Sequence, residues 1–367
     1  METVKIKDVT SHLESLAPGA YQESYDNSGL ITGNPDWVVN GVLVTLDCIE
    51  VVVDEAIQQK CNLIIAHHPI VFKGLKSLTG KNYVERTIIK AIKNDIAIYA
   101  IHTNLDNVHH GVNYKIAERM GLTDLKVLAP KSDTLSKLVT FIPKDSAPSV
   151  LDALHKAGAG NIGNYKNCSF STIGTGAFEP TEEASPQVGK SGKLEEVEEI
   201  RAELIFPSVL ESKIIAALKK SHPYEEVAYY LTSLDNKNQE VGSGMVGVLE
   251  TALEPKAFLE RLKSRMNTAS IRHTALPNSP IQKVAICGGA GSFLLQTAKA
   301  QGADAFVSAD FKYHEFFDAE GQILIADIGH YESEQFTKDL LKEVLEEKFT
   351  SFAVYFSKSV TNPISYL

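Results

Sequence analysis

The 367-residue sequence has no apolar run approaching the roughly 18 residues of a membrane-spanning helix. The opening residues Met1-Glu2-Thr3-Val4-Lys5 lack the apolar core of a secretion signal, so a soluble, cytoplasmic protein is expected. Basic charge is scarce: 36 Lys and Arg stand against 46 Asp and Glu, a net charge of −10. That balance argues against a general nucleic-acid-binding surface. Cysteine is scarce as well. Cys48, Cys61, Cys168 and Cys287 form no CxxC pair, which argues against a thiolate zinc site. Each sits in or near an apolar segment and is expected to be a reduced, structural thiol.

What is present is the make-up of an ordinary globular protein, 44% hydrophobic and 22% charged, long enough for two or three domains. The first third alternates strand and helix signals. Strands are predicted over Val42 to Leu46, Leu63 to Ala66 and Ile96 to Ile101. Helices are predicted over Glu50 to Lys60, Tyr83 to Asn94 and Gly111 to Met120, the last stopping at Gly121. This rhythm implies a buried, largely parallel sheet. The last third repeats it. Strands are expected at Val284 to Cys287, Ala305 to Ser308 and Gln322 to Ala326, with helices from Ser292 to Ala300 and from Glu332 to Glu347.

The middle differs. Leu138 to Ile142 and Glu203 to Phe206 read as strands, Ser149 to Ala157 and Val209 to Lys219 as helices, and Glu226 to Leu231 as a final strand. Thr175 to Lys193, rich in Gly, Pro, Ser and Glu, reads as an exposed loop. The order is taken as β-α-β-β-α-β, the ferredoxin-like order. The expected architecture is a split α/β domain, residues 1–130 and 241–367, interrupted by an inserted α+β domain over 131–240.

The dipeptide His67-His68 closes the apolar run Leu63-Ile64-Ile65-Ala66. Neutral imidazole is the commonest side-chain metal ligand. Adjacent strand residues point in roughly opposite directions, so the pair suits two metals, with one histidine for each. Open α/β sheets bind ligands at the C-terminal ends of their strands. His102-Thr103-Asn104-Leu105-Asp106 follows one such strand, and Asp327-Ile328-Gly329-His330-Tyr331-Glu332-Ser333-Glu334 follows another. His330 and Glu334 are one helical turn apart. His67, His68, Asp106, His330 and Glu334 together suit two divalent ions, with one carboxylate bridging. Mixed imidazole and carboxylate donors favour zinc, with Mn, Fe or Co as alternatives, over Mg.

His102, Asp310 and His314 are candidate catalytic or substrate-contacting groups. His109, His110, His12, His155 and His273 are expected on the surface. The run Gly288-Gly289-Ala290-Gly291 lacks the P-loop lysine and the full dinucleotide spacing. It is taken as a tight turn beside the metal cleft, with anion binding as the rival reading.

Four blocks, Tyr25-Asp26-Asn27-Ser28-Gly29-Leu30, Ala66-His67-His68-Pro69, His102-Thr103-Asn104-Leu105-Asp106 and Gly329-His330-Tyr331-Glu332-Ser333-Glu334, occur in this order across the chain. Together they resemble the GTP cyclohydrolase I type 2 homologue family. Tyr25 stands where many members have Trp. The resemblance implies a dinuclear metal site on the same five ligands, assembly into a toroidal homohexamer, and a PII-like or CutA-like inserted domain. Ser221-His222-Pro223-Tyr224-Glu225-Glu226 is similar to the CutA motif before its last core strand. The implied activity is hydrolytic: a metal-bound hydroxide attacks a nucleotide or related small molecule, in the GTP case at C8 of guanine. A regulatory or scaffold toroid that binds metal or a metabolite without turnover is the alternative.

Overall fold

The computed structural model describes residues 3–367. The chain divides into two compact units, one ending at Pro130 and resuming at Glu240, the other spanning Lys131–Gln239.

The first unit holds two sheets. One has five strands in the order Gly29–Thr32, Ala97–Ala100, Leu63–His68, Gly41–Asp47 and Ala353–Phe356. The last four of these run parallel, and Gly29–Thr32 closes the edge antiparallel. The other sheet has six strands around a parallel trio, Leu324–Asp327, Ala305–Ala309 and Ile281–Ala290. Arg272–His273 and Asn238–Leu253 flank the trio antiparallel, and Leu122–Lys131 lies beyond the latter.

The strands read as unbroken apolar runs because both faces are covered. Alternate residues enter different cores. Leu63, Ile65, Val42 and Val44 share one core with Val284, Ile286, Val307 and Ala326 of the second sheet. Ile64, Leu43 and Ile98 face the opposite way, against Val52, Val53 and Ala56 of the helix Glu50–Gln58 and Ile88 and Ala91 of the helix Tyr83–Lys93. Burying each Val, Leu or Ile side chain among them contributes roughly 1.5–3 kcal/mol. Asn82 caps the second of these helices by accepting from Glu85 N–H. Gly121, in the left-handed region at φ 73°, ends the helix Val112–Met120.

The second unit runs strand Leu135–Pro143, helix Ala147–Ala157, strands Phe170–Phe178 and Glu195–Pro207, helix Glu211–Ser221 and strand Tyr229–Leu234. Its four strands pair antiparallel, with Leu135–Pro143 and Glu195–Pro207 in the centre. One face buries Leu138, Ile142, Leu204 and Phe206 against Val150, Leu154, Ile214 and Leu218 of the two helices.

The structure departs from the sequence expectation in several places. The loop expected from Thr175 starts later, because Phe170–Phe178 is a strand laid along Glu195–Glu203. Its glycines 174 and 176 weaken the strand signal, but the pairing overrides local propensity. The helix expected from Glu332 to Glu347 is two helices, His330–Glu334 and Thr337–Lys348. Helices Ile6–Leu16 and Pro255–Arg265 and strands Leu122–Lys131 and Asn238–Leu253 were not anticipated. Cys48, Cys61 and Cys287 are buried free thiols, and Cys168 is half-buried. Among the described residues, no helix is long and apolar enough to cross a membrane.

Candidate metal centre

The strand Leu63–His68 delivers its two histidines to the end of the sheet, past Ala66. His67 continues the inward parity of Leu63 and Ile65 and is fully buried, whereas His68 is partly exposed. Strand alternation alone would separate their rings. Instead the ring centroids lie 4.9 Å apart, because each imidazole is held from behind by a different acceptor.

His67 Nδ1 donates to the carbonyl of Ile101 at 2.9 Å. His68 Nδ1 donates to Asp47 Oδ1 at 2.7 Å. His330 Nδ1 donates to Asp310 Oδ2 at 2.7 Å, and His102 Nδ1 to Asp26 Oδ1 at 2.8 Å. A carbonyl oxygen only accepts, so Nδ1 of neutral His67 carries the proton and Nε2 presents a lone pair. Anchoring one ring nitrogen so that the other is aimed and made more basic is how metal-binding histidines are oriented.

The free ends converge. His68 Nε2 lies 3.0 Å from Glu334 Oε2, His330 Nε2 3.1 Å from the same oxygen, and the two Nε2 atoms are 3.4 Å apart. His67 Nε2 lies 3.6 Å from Asp106 Oδ1 and 3.9 Å from Glu334 Oε1. Two sets of donor atoms could each hold an ion: His67, Asp106 and Glu334, and His68, His330 and Glu334, every atom of a set within 4.8 Å of the others. Glu334 belongs to both. A third such set, His67, His68 and His102, shares the two histidines.

The donor set passes an independent test of fit. His67 Nε2 and Asp106 Oδ1 are buried and have no hydrogen-bond partner. Leaving such atoms unpaired costs roughly 1–3 kcal/mol each. A divalent cation satisfies both.

The electrostatics agree. Burial and the charge of Glu334 push the Asp106 carboxyl well above the ordinary carboxylate range. Burial acts the same way on Glu334, but the charge of His330 and hydrogen bonds from His330 and His68 outweigh it and hold Glu334 well down. Burial lowers His67 to about 4. For His68 and His330 burial is overcome by carboxylates: Asp47 and Glu334 raise His68 to about 9, and Glu334 and Asp310 raise His330 to about 11. The pocket thus sets carboxylates against protonated imidazoles, and a bound cation would take the place of those protons.

Glycines let the parts close up. Gly289, at φ 61°, presses its backbone against the site: a Cβ there would stand 2.5 Å from Glu334 Oε1. Gly289 N–H donates to Ser333 Oγ at 2.9 Å, and Ser333 Oγ donates to the His330 carbonyl at 2.8 Å. Gly288 N–H donates to Asn113 Oδ1 at 2.9 Å, and Asn113 Nδ2 to the Asp106 carbonyl at 3.0 Å. The glycine run is the end of the strand Ile281–Ala290, holding the carriers of Glu334 and Asp106 in place.

All five sequence-predicted ligands therefore lie in one cluster. Asp310 supports His330. His102 joins ring to ring, 5.3 Å from both His67 and His68. His314 does not join: it is exposed, edge-on to Tyr313 and stacked on Phe317, with no hydrogen bond or ion pair to the cluster among the described residues. Of the remaining histidines, His110 and His273 are exposed, His12, His109 and His155 are half-buried, and His222 is buried.

Sequence reasoning missed Asp47, although it sits at a strand end, paired in register with His68, where the rule that found the others would have found it. It also gave Asp26 no role. Asp26 accepts from His102, from Thr103 N–H at 3.0 Å and from Thr103 Oγ1 at 2.5 Å.

The chain is similar to known proteins along its whole length. The Bacillus subtilis protein named GTP cyclohydrolase 1 type 2 homolog is 38% identical over 376 residues, spanning 100% of each chain. The crystal structure of a Bacillus cereus protein related to NIF3 matches with a TM-score of 0.89 at 39% identity, again over 100% of both chains. A Staphylococcus aureus structure matches at 0.79 and 32%, with the same full coverage. The profile of the Duf34/NIF3 (NGG1p interacting factor 3) family spans residues 4–363. With the whole chain matched from end to end, the protein belongs to the Duf34/NIF3 family, among the relatives named GTP cyclohydrolase 1 type 2 homologues.

Proposed function

We propose that this chain is a metal-dependent hydrolase with a dinuclear divalent centre. His67, Asp106 and Glu334 would hold one ion, and His68, His330 and Glu334 the other, with Glu334 bridging. The observation that carries this reading is the convergence of aimed imidazole nitrogens on two carboxylates, Glu334 buried and Asp106 partly so, with His67 Nε2 and Asp106 Oδ1 otherwise unpartnered. Zinc fits the donor types first, with Mn, Fe and Co as alternatives. Such ions supply Lewis acidity for polarising a substrate oxygen and activating water.

The chain's own groups do the rest. Asp47, Asp310 and the Ile101 carbonyl fix the rings. His102, held at Nδ1 by Asp26, leaves Nε2 as the atom that can pass a proton to or from the substrate. Phe72, half exposed and edge-on to His102 at 5.6 Å between ring centroids, lines the approach. The names of the relatives make a nucleotide, GTP first, the leading substrate class. We also read the second unit as a ferredoxin-like, PII- or CutA-like insert, and the protein as a cytoplasmic toroidal homohexamer. Its β-α-β-β-α-β order with an antiparallel sheet supports the reading of the insert.

A non-catalytic regulatory or scaffold toroid is the second reading, favoured by that same inserted unit. One experiment separates the two. Zinc-loaded protein is incubated with GTP and related nucleotides, with formate release followed for GTP and His68→Ala as control. Hydrolysis by the wild type, lost in the control, is expected. Turnover of no substrate above the control, by protein that binds metal, overturns the hydrolase reading in favour of the regulatory one.

A further inference from the structure

From Ser357 onward the chain has no regular secondary structure, yet several of its residues are tied down. Glu55 accepts from Ser357 Oγ at 2.7 Å, Lys358 N–H at 2.8 Å and Ser359 Oγ at 3.0 Å. Thr361, only 9% exposed, donates from Oγ1 to Asp47 Oδ2 at 2.6 Å. The other oxygen of Asp47 is the one that orients His68. The next residue, Asn362, donates from Nδ2 to Glu332 Oε1 at 3.0 Å, and its own Oδ1 accepts from Ile364 N–H at 3.0 Å. Glu332 is buried in the short helix His330–Glu334, between the two candidate ligands that helix carries.

Two adjacent residues of the tail thus grip two separate elements, the strand end behind His68 and the helix bearing His330 and Glu334. Both grips lead to the same donor set. His67 and Asp106 are anchored elsewhere, through the Ile101 carbonyl and Asn113. A carboxylate that orients an imidazole must itself be kept from rotating, and a hydroxyl on its second oxygen does that.

We propose that the C-terminal segment is a clamp on one half of the metal centre, with Thr361 a positioning residue for His68 acting through Asp47. This rests on the dinuclear reading above. The Thr361 arm makes the two ion sites unequal, because His68 belongs to only one of the two sets that contain Glu334, whereas the Asn362 arm holds the helix whose Glu334 serves both.

The test is a zinc titration of the full-length protein against a competing chelator, comparing wild type with Thr361→Val and Thr361→Ser. Cobalt(II) absorption reports ligand geometry and thermal melting reports folding. The wild type is expected to bind two ions. Thr361→Val should keep one at wild-type affinity and bind the other about 10–100-fold more weakly, the usual cost of losing an outer partner. Thr361→Ser, which keeps the hydroxyl, should restore it. Unchanged affinity for both ions, equal weakening of both, or failure of Ser to restore the second would overturn the clamp. If Thr361→Val does not fold, Asn362→Ser, which loosens the helix bearing His330 and the shared Glu334, should weaken zinc binding, and unchanged binding there counts against the clamp equally. A wild type that binds no zinc overturns the metal-centre reading itself, a result distinct from any of these.

Discussion

Glu334→Gln is expected to reduce bound zinc from two ions per chain to at most one and to abolish hydrolysis. Gln keeps the size and one carbonyl oxygen of Glu but removes the charge. Glu334 is the only residue in both donor sets centred on the carboxylates, and its two oxygens lie 3.0 Å from His68 Nε2, 3.1 Å from His330 Nε2 and 3.9 Å from His67 Nε2. Without it, Asp106 is the sole carboxylate among the five ligands. Loss of an outer-shell partner costs about 10–100-fold in metal affinity, and losing a shared ligand should cost more at both positions. Metal analysis of the purified variant beside the wild type measures it. Two ions retained at wild-type affinity would remove Glu334 from the centre.

Gly289→Ala should damage the same site from the backbone side. At φ 61° an L-residue is strained, at a cost of about 1–3 kcal/mol. The added Cβ also meets Glu334 Oε1 at 2.5 Å and His330 Cε1 at 3.3 Å, so the carboxylate must move. Gly302→Ala is the control. Its φ is 69° and nothing lies within 4 Å of its Cβ position, so it carries backbone strain alone. Both variants should lose comparable thermal stability, but only Gly289→Ala should also lose zinc affinity. Equal zinc affinity in the two variants would mean that the glycine serves the turn and not the site.

The candidate site was legible in the sequence because its ligands stand at the ends of strands with strong local signals. The apolar runs ending at His67-His68 and before His102 and Asp327 identify themselves, and the spacing of His330 and Glu334 survives in a helix of only five residues. The supports were harder to see. Asp47 lies 21 residues before His68 and Thr361 a further 314 from Asp47, and no local pattern links them. Only the register of parallel strands and the path of the tail bring them together. Within the fold, the missed strand Leu122–Lys131 has irregular burial along its length, so neither period-two alternation nor a continuous apolar run marks it. The helix Ile6–Leu16 did carry a signal: Ile6, Val9 and Leu13 recur at helical spacing and are fully buried. In the inserted unit the strand Phe170–Phe178 was hidden by its glycines, and long-range pairing decided it.

Diffraction at the zinc absorption edge, from crystals of the zinc-loaded protein, tests the central claim most directly. Two anomalous peaks are predicted in each chain, one against His67, Asp106 and Glu334 and one against His68, His330 and Glu334. A map with no peak among these residues, or with zinc bound only elsewhere, would contradict the dinuclear centre.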